Sequence, residues 1–148
     1  MSAPLPTGED HDFRSACSIA RTLELVGDKW TLLIVRDLMW HSKHTFQALQ
    51  ESAERMPTNI LSQRLKKLMG WGLVTREAYQ TRPVRYEYRL TEAGRALEPV
   101  LKDIMAWGRE NLGGGRYDPE TGVSEPAAAD RVEPPYRAAK HGFPPARE

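Results

Sequence analysis

The chain has 148 residues, 40% of them apolar, and a formal net charge of +1, which fits one compact domain with an appended segment. No run of about 18 apolar residues occurs, and the polar opening Met1–Asp12 lacks the basic start and apolar stretch of a signal peptide, so a cytoplasmic protein is expected. Cys17 is the single cysteine, which excludes an internal disulfide and a cysteine-based zinc site within one chain.

Residues 1–14 contain Pro4, Pro6 and Gly8 and no apolar period, and are expected to form a disordered arm. The first helix is expected over Ser15–Val26, where Ile19, Leu23 and Val26 recur at spacings of four and three and Gly27 follows as a stop. Asp28 is placed to cap a second helix, Lys29–Trp40, whose apolar stripe is Trp30, Leu33, Ile34 and Leu38, widened by Val35. His41–His44 makes a turn, and Thr45 caps a short third helix from Phe46 to about Ser52, with Phe46 and Leu49 inward. Thr58 is the expected N-cap of a fourth helix reaching Gly70 or Trp71, ended by Gly72.

The period then changes from 3.6 to 2. Leu73–Tyr79 and Val84–Leu90 read as strands joined by Gln80–Pro83, a hairpin. Val84, Tyr86 and Tyr88 share a face with Leu90 and are read as core. Thr91 caps a final helical stretch that Pro99 should kink or split near Leu97–Glu98. Residues 113–148 open on Gly113-Gly114-Gly115 and hold six prolines, and are expected to be a disordered tail. The folded domain is therefore 15–112. It is expected to be mainly α with a small β-hairpin, the layout of a winged helix–turn–helix with N- and C-terminal dimerisation helices.

On a wheel of about 100° per residue the fourth helix has a buried stripe, Leu61, Leu65 and Leu68. Asn59, Gln63 and Lys66 fall opposite, flanked by Ser62 and Lys67. Asn and Gln amides can pair with an adenine edge in the major groove, Lys with guanine or phosphate. Ser62 and Thr58 can reach phosphate oxygens at the helix start. From Thr58 to Arg89 seven basic residues face two acidic ones, a local net of +5, leaving −4 on the rest of the chain. A near-neutral protein with one positive segment suggests a local anionic partner. Arg82 and Arg85, at the hairpin tip, suit a narrow minor groove or phosphates.

Leu101, Ile104, Trp107 and Leu112 continue an apolar stripe beyond Pro99 with few elements left to cover it. With Ile19 and Leu23 they are candidate dimer-interface residues. Cys17 lies near a helix start, where the dipole can lower a thiol pKa. A buried small apolar residue at the dimer contact is the favoured reading, with a redox or electrophile sensor as the alternative. His41 and His44 next to Asp37 make an incomplete metal site, and no metal or other cofactor is expected. No Gly-rich phosphate loop, Gly-x-Ser-x-Gly elbow or His-Glu-x-x-His occurs, so catalysis is not expected. A winged helix retained as a protein-interaction module is the competing class, but such a face should be apolar at its centre.

Several of these segments together resemble the HxlR-type regulators. Cys17–Leu23 followed by Val26–Ile34 is similar to their opening, Phe46–Leu49 to their short helix, Asn59–Leu68 with Gly72-Leu73-Val74 to their recognition helix and its exit, and Pro83–Gly94 to their wing. The likeness spans about Cys17 to Gly108. It implies a bacterial or archaeal homodimer, built from the first and C-terminal helices, that binds double-stranded DNA and represses or activates nearby genes, repression being the expected sense. It also implies, for a subset of members, sensing of an electrophile or oxidant effector through a cysteine matching Cys17. Two departures stand out: Ser18, where proline often follows the cysteine, and the long segment after Leu112.

Overall fold

The computed structural model describes residues 11–127, so the outer parts of the expected arm and tail, 1–10 and 128–148, lie outside the described residues. The chain divides into two units, the first ending at Glu98 and the second beginning at Pro99. The elements are α1 (Ser18–Val26), α2 (Thr31–Trp40), α3 (Phe46–Gln50), α4 (Thr58–Gly70), β1 (Val74–Thr81), β2 (Val84–Leu90), α5 (Glu92–Arg95), α6 (Glu98–Leu112), β3 (Arg116–Tyr117) and β4 (Ser124–Glu125). The expected order of four helices, a hairpin and a broken terminal helix is therefore present.

The core of the first unit is aliphatic. Leu25 and Val26 of α1, Ile34, Val35 and Leu38 of α2, Leu49 of α3 and Leu61, Leu65 and Leu68 of α4 are buried. Leu73, Val74, Tyr88 and Leu90 add the root of the hairpin to it. The inward residues of α4 are those of its 3.6-residue period, because that spacing puts Leu61, Leu65 and Leu68 on one stripe. Trp30 and Leu33 are only half-buried, so the core edge of α2 runs through Ile34, Val35 and Leu38.

Asp28 caps α2 from two positions upstream. Its carboxylate accepts from the amides of Trp30 at 3.0 Å and Thr31 at 3.1 Å and from the Thr31 hydroxyl. Thr45 caps α3 by accepting from the Ala48 amide at 3.1 Å, and Thr91 caps α5 by accepting from the Gly94 amide at 3.1 Å. Thr58 behaves differently from expectation. Pro57 holds the N-cap position of α4, and the Thr58 hydroxyl instead accepts from Gln50 Nε2 at 2.7 Å. Pro57 sets the extended entry, and its carbonyl accepts the first intrahelical bond from the Leu61 amide at 2.9 Å, so Thr58 becomes the first helical residue.

Gly72 leaves α4 with φ +73°, in the left-handed region that a side chain resists. Gly94 is needed for space: a Cβ there would stand 2.3 Å from the Leu73 carbonyl oxygen. The chain returning from β2 is locked to the same point, since Thr91 donates from its amide to Leu73 O at 3.0 Å and from its hydroxyl to Gly72 O at 2.7 Å.

The hairpin pairs β1 and β2 antiparallel from Val74↔Leu90 to Thr81↔Val84, with an irregularity at Tyr79 between Ala78 and Gln80. Thr45 adds an isolated bridge to Glu87, and the Tyr88 amide donates to His44 O at 2.7 Å. His44 Nδ1 lies 3.0 Å from Tyr88 O, so this histidine is built into the sheet edge rather than left in solvent. Tyr88 and Leu90 are buried as expected, whereas Val84 is 55% exposed. Beyond Tyr86 the hairpin runs past the core that would cover it.

In the second unit α6 is followed by a short hairpin in which Arg116 pairs with Glu125 and Tyr117 with Ser124. This departs from a disordered tail starting at 113. The turn is held by Asp118, whose carboxylate accepts from the Glu120 amide and the Thr121 hydroxyl, each at 2.9 Å. Gly122 supplies φ +72°. Arg109 of α6 pairs with Glu125 at 2.8 Å, and Met105 Sδ accepts from the Tyr117 amide at 3.3 Å. At the other end, residues 11–14 also make contacts: Phe13 and His11 pack on Trp71 with centroids 5.9 and 5.0 Å away.

Candidate nucleic-acid interface

The site is built on the outer row of α4. With Leu61, Leu65 and Leu68 fixed in the core, helical spacing turns Asn59, Ser62, Gln63 and Lys66 outward, and all four are exposed together with Thr58. The row therefore offers two amides, two hydroxyls and one ammonium, and no carboxylate. Lys67 departs from it. Lys67 is half-buried and its Nζ donates to the Glu24 carbonyl at 3.2 Å, bracing α4 against the C-terminal end of α1, where free carbonyls favour a cation.

Arg64, which periodicity did not single out, is the second brace. Its Nε donates to Asp28 Oδ2 at 2.9 Å. Asp28 thus joins the start of α2 to the middle of α4. Burial works to raise its pKa, but the hydrogen bonds from Thr31, Trp30 and Arg64 outweigh this and hold it at about 2. It is a permanent anion in the physiological range, and Arg64 is used inside the fold rather than offered to a ligand.

A third brace was not legible in the sequence. Asp37 of α2 is buried and accepts from the Ser52 hydroxyl and from Arg36. Lys43 Nζ donates to Ser52 Oγ at 2.8 Å. Arg36 also pairs with Glu54, and that hydrogen bond holds Glu54 below the usual carboxylate range. These bonds join α2 to the turn between α3 and α4, so the entry of α4 is set by buried polar contacts as well as by apolar packing. Their partners lie 15 and 18 residues apart, a spacing that no local pattern reveals.

The hairpin tip is the other half of the site. Arg82 and Pro83 form its two-residue turn, with the peptide bond between them cis. Arg82 and Arg85 are both exposed. Arg76 stands over the Tyr86 ring at 4.0 Å, which stiffens the outer hairpin.

The expected interface residues of α1 are open in the single chain: Ile19 is 72% and Leu23 57% exposed. On α6, Ile104, Trp107 and Leu112 are exposed. Leu101 is buried within the chain and is not part of an uncovered patch. Cys17 is exposed in the single chain at the N-cap of α1, as a residue covered only at a dimer contact would also be. No described helix is long and apolar enough to cross a membrane.

A family model described as an HxlR-like helix-turn-helix matches residues 25–115. The chain belongs to the HxlR-like helix-turn-helix family. Relatives bear out the assignment. An uncharacterised HTH-type transcriptional regulator of Mycobacterium tuberculosis is 44% identical over 95 residues, which are 64% of this chain and 59% of that protein. The match thus spans under two thirds of that relative's length. Among solved structures, the reduced form of the transcriptional regulator YodB from Bacillus subtilis is 30% identical. Its TM-score is 0.54, with 65% of this chain and 94% of that one covered. The redox regulator HypR in its reduced form is 31% identical with a TM-score of 0.59, over 65% and 94%. In this HxlR-like frame α3 and α4 are the helix–turn–helix and β1–β2 is the wing. The family and these relatives are regulators rather than enzymes.

Proposed function

We propose that this HxlR-like protein is a sequence-specific transcriptional regulator that acts as a homodimer, with α4 reading a major groove and the wing reaching the flanking minor groove of a palindromic operator. Repression is the expected sense. The observation that carries this reading is the outer row Asn59, Ser62, Gln63 and Lys66, exposed and free of carboxylates on a helix whose other cations, Arg64 and Lys67, are engaged within the fold. Asn and Gln amides read base edges, while Lys66, Arg82 and Arg85 supply charge for phosphates. An interaction module is disfavoured because the presented face has no apolar centre.

The test is a fluorescence-anisotropy titration against the duplex upstream of the protein's own gene and a scrambled duplex, at low and moderate salt. Specific binding is expected to exceed non-specific binding by ~10³ or more. Gln63→Ala should cost about 1–3 kcal/mol on the native duplex and little on the scrambled one. Lys66→Ala should weaken both and lower the salt slope by about one. Equal losses for both variants on both duplexes would contradict the assignment of roles.

A second reading, thiol-based sensing of an oxidant or electrophile, is favoured by the exposure of Cys17 at the start of α1. A relative in fold, HypR, is itself a redox regulator. Under this reading an oxidant releases the wild-type protein from DNA and leaves Cys17→Ser bound. Release of both abolishes the role of Cys17.

A further inference from the structure

The segment after Leu112 has no part in the DNA-reading face. Its hairpin, β3–β4, borders with α6 a cavity of about 740 Å³, a volume within the range of small-molecule sites. The cavity lies wholly inside the second unit. The family match ends at residue 115, so the wall from Arg116 to Glu120 is made by chain beyond that match.

The helix wall is Lys102, Met105, Ala106 and Arg109, spaced as one face of a 3.6-residue period. Ile104 and Trp107 fall on the opposite side of that period, so the cavity is separate from the apolar face offered for dimerisation. The facing wall adds Tyr117 and Pro119. The two walls are tied to each other by the Tyr117 amide on Met105 Sδ at 3.3 Å and by Arg109 on Glu125 at 2.8 Å, so the cavity is preformed.

Charge decides what fits it. Arg109 is neutralised by Glu125, and Lys102 is engaged as well. The Asp118 carboxyl is held below its ordinary range by the Glu120 amide and the Thr121 hydroxyl, with Arg116 adding to the effect. Glu110 and Glu120 remain, one from each wall. Both are exposed, and their carboxylates have no partner among the described residues. Engaged cations and open carboxylates are complementary to a positive ligand. The apolar lining favours a charge carried on an apolar body, and aromatic and thioether groups suit such a cation.

We propose that this cavity is a binding site for an apolar organic cation, with Glu110 and Glu120 setting its charge preference. In a transcriptional regulator the occupant would act as an effector; that role rests on the function proposed above, whereas the site itself does not.

The test uses the full chain without DNA. Tetraphenylphosphonium is titrated by isothermal calorimetry, with tetraphenylborate, of the same shape and opposite charge, as the comparison. Saturable binding of the phosphonium is expected, with the borate weaker by about tenfold or more. Glu110→Gln and Glu120→Gln combined should weaken the phosphonium by about tenfold. Asp103→Asn removes the same charge from an exposed position of α6 that does not line the cavity, and should leave binding unchanged. All three positions are exposed, and thermal unfolding checks that the variants stay folded. The site is overturned by absence of saturable phosphonium binding, by equal binding of the two ions, or by a double variant that binds as the wild type does. None of these results bears on the DNA titration, so the site and the DNA-binding reading fail separately.

Discussion

Asp28 shows how one side chain can serve two levels of structure. It caps α2 and holds Arg64 of α4. The cap was legible in the sequence, since an Asp after Gly27 and before an apolar period is a helix start. The pairing with Arg64 was not, because 36 residues intervene. Its pKa near 2, against an ordinary 3.8, has a thermodynamic consequence. A carboxylate whose folded pKa is depressed stabilises the fold above its unfolded pKa and loses that contribution as pH falls toward the folded value. The stability gap between wild type and Asp28→Asn, measured by urea unfolding, should therefore be full at pH 5 and above and shrink between about pH 4 and pH 2. A gap that stayed constant across that window would show that Asp28 acts through shape alone. Lys67 marks the limit of a wheel at the same scale. Angle alone put it beside the outward row, but the packed neighbour α1 offers a carbonyl that captures its ammonium.

At the scale of elements, the local signals were strong where period and punctuation agreed. The α4 stripe, the Thr45 and Thr91 caps, the Gly72 exit and the split of the last helix ahead of Pro99 are all written within a few residues of where they act. The features that escaped depend on distant partners or on small polar turns. The hairpin over Arg116–Glu125 follows three glycines in a stretch whose composition points to a tail, yet Asp118 and Gly122 build a turn there and Arg109 and Met105 hold it to α6. At the junction of α4, the wing and α5 backbone approaches backbone closely. Gly94 packs its Cα against the Leu73 carbonyl, which also accepts the Thr91 amide. Backbone cannot yield as a flexible side chain does, so Gly94→Ala is expected to cost about 1–3 kcal/mol. Gly108→Ala, where a Cβ meets nothing within 4 Å, serves as the control. Chemical denaturation of the two variants decides the matter, and equal stabilities would remove the close approach as the reason for glycine at 94.

For the molecule as a whole, the question is what covers the apolar residues that the single chain leaves open. α1 presents Ile19 and Leu23, and α6 presents Ile104, Trp107 and Leu112. Singly exposed apolar residues are ordinary, but here they recur at helical spacing within each element, which marks a face rather than scatter. Aromatic anchors carry a large share of such interfaces, and Trp107 is 61% exposed. A two-fold dimer formed through these faces would present two copies of α4 to successive major grooves about 34 Å apart. Affinity for a palindrome would then exceed that for a half-site through effective concentration rather than through new contacts. Trp107→Glu puts an unpaired charge on the exposed apolar side of α6. It is expected to convert a dimer into a monomer at micromolar concentration in sedimentation equilibrium. Binding to a palindromic duplex should then fall to the level of a half-site, while the half-site affinity itself is unchanged because α4 and the wing are untouched. Leu101→Glu, by contrast, should unfold or destabilise the chain, since that residue is buried within it. A wild-type mass of one chain at micromolar concentration would end the dimer proposal and leave the exposed faces to a different partner.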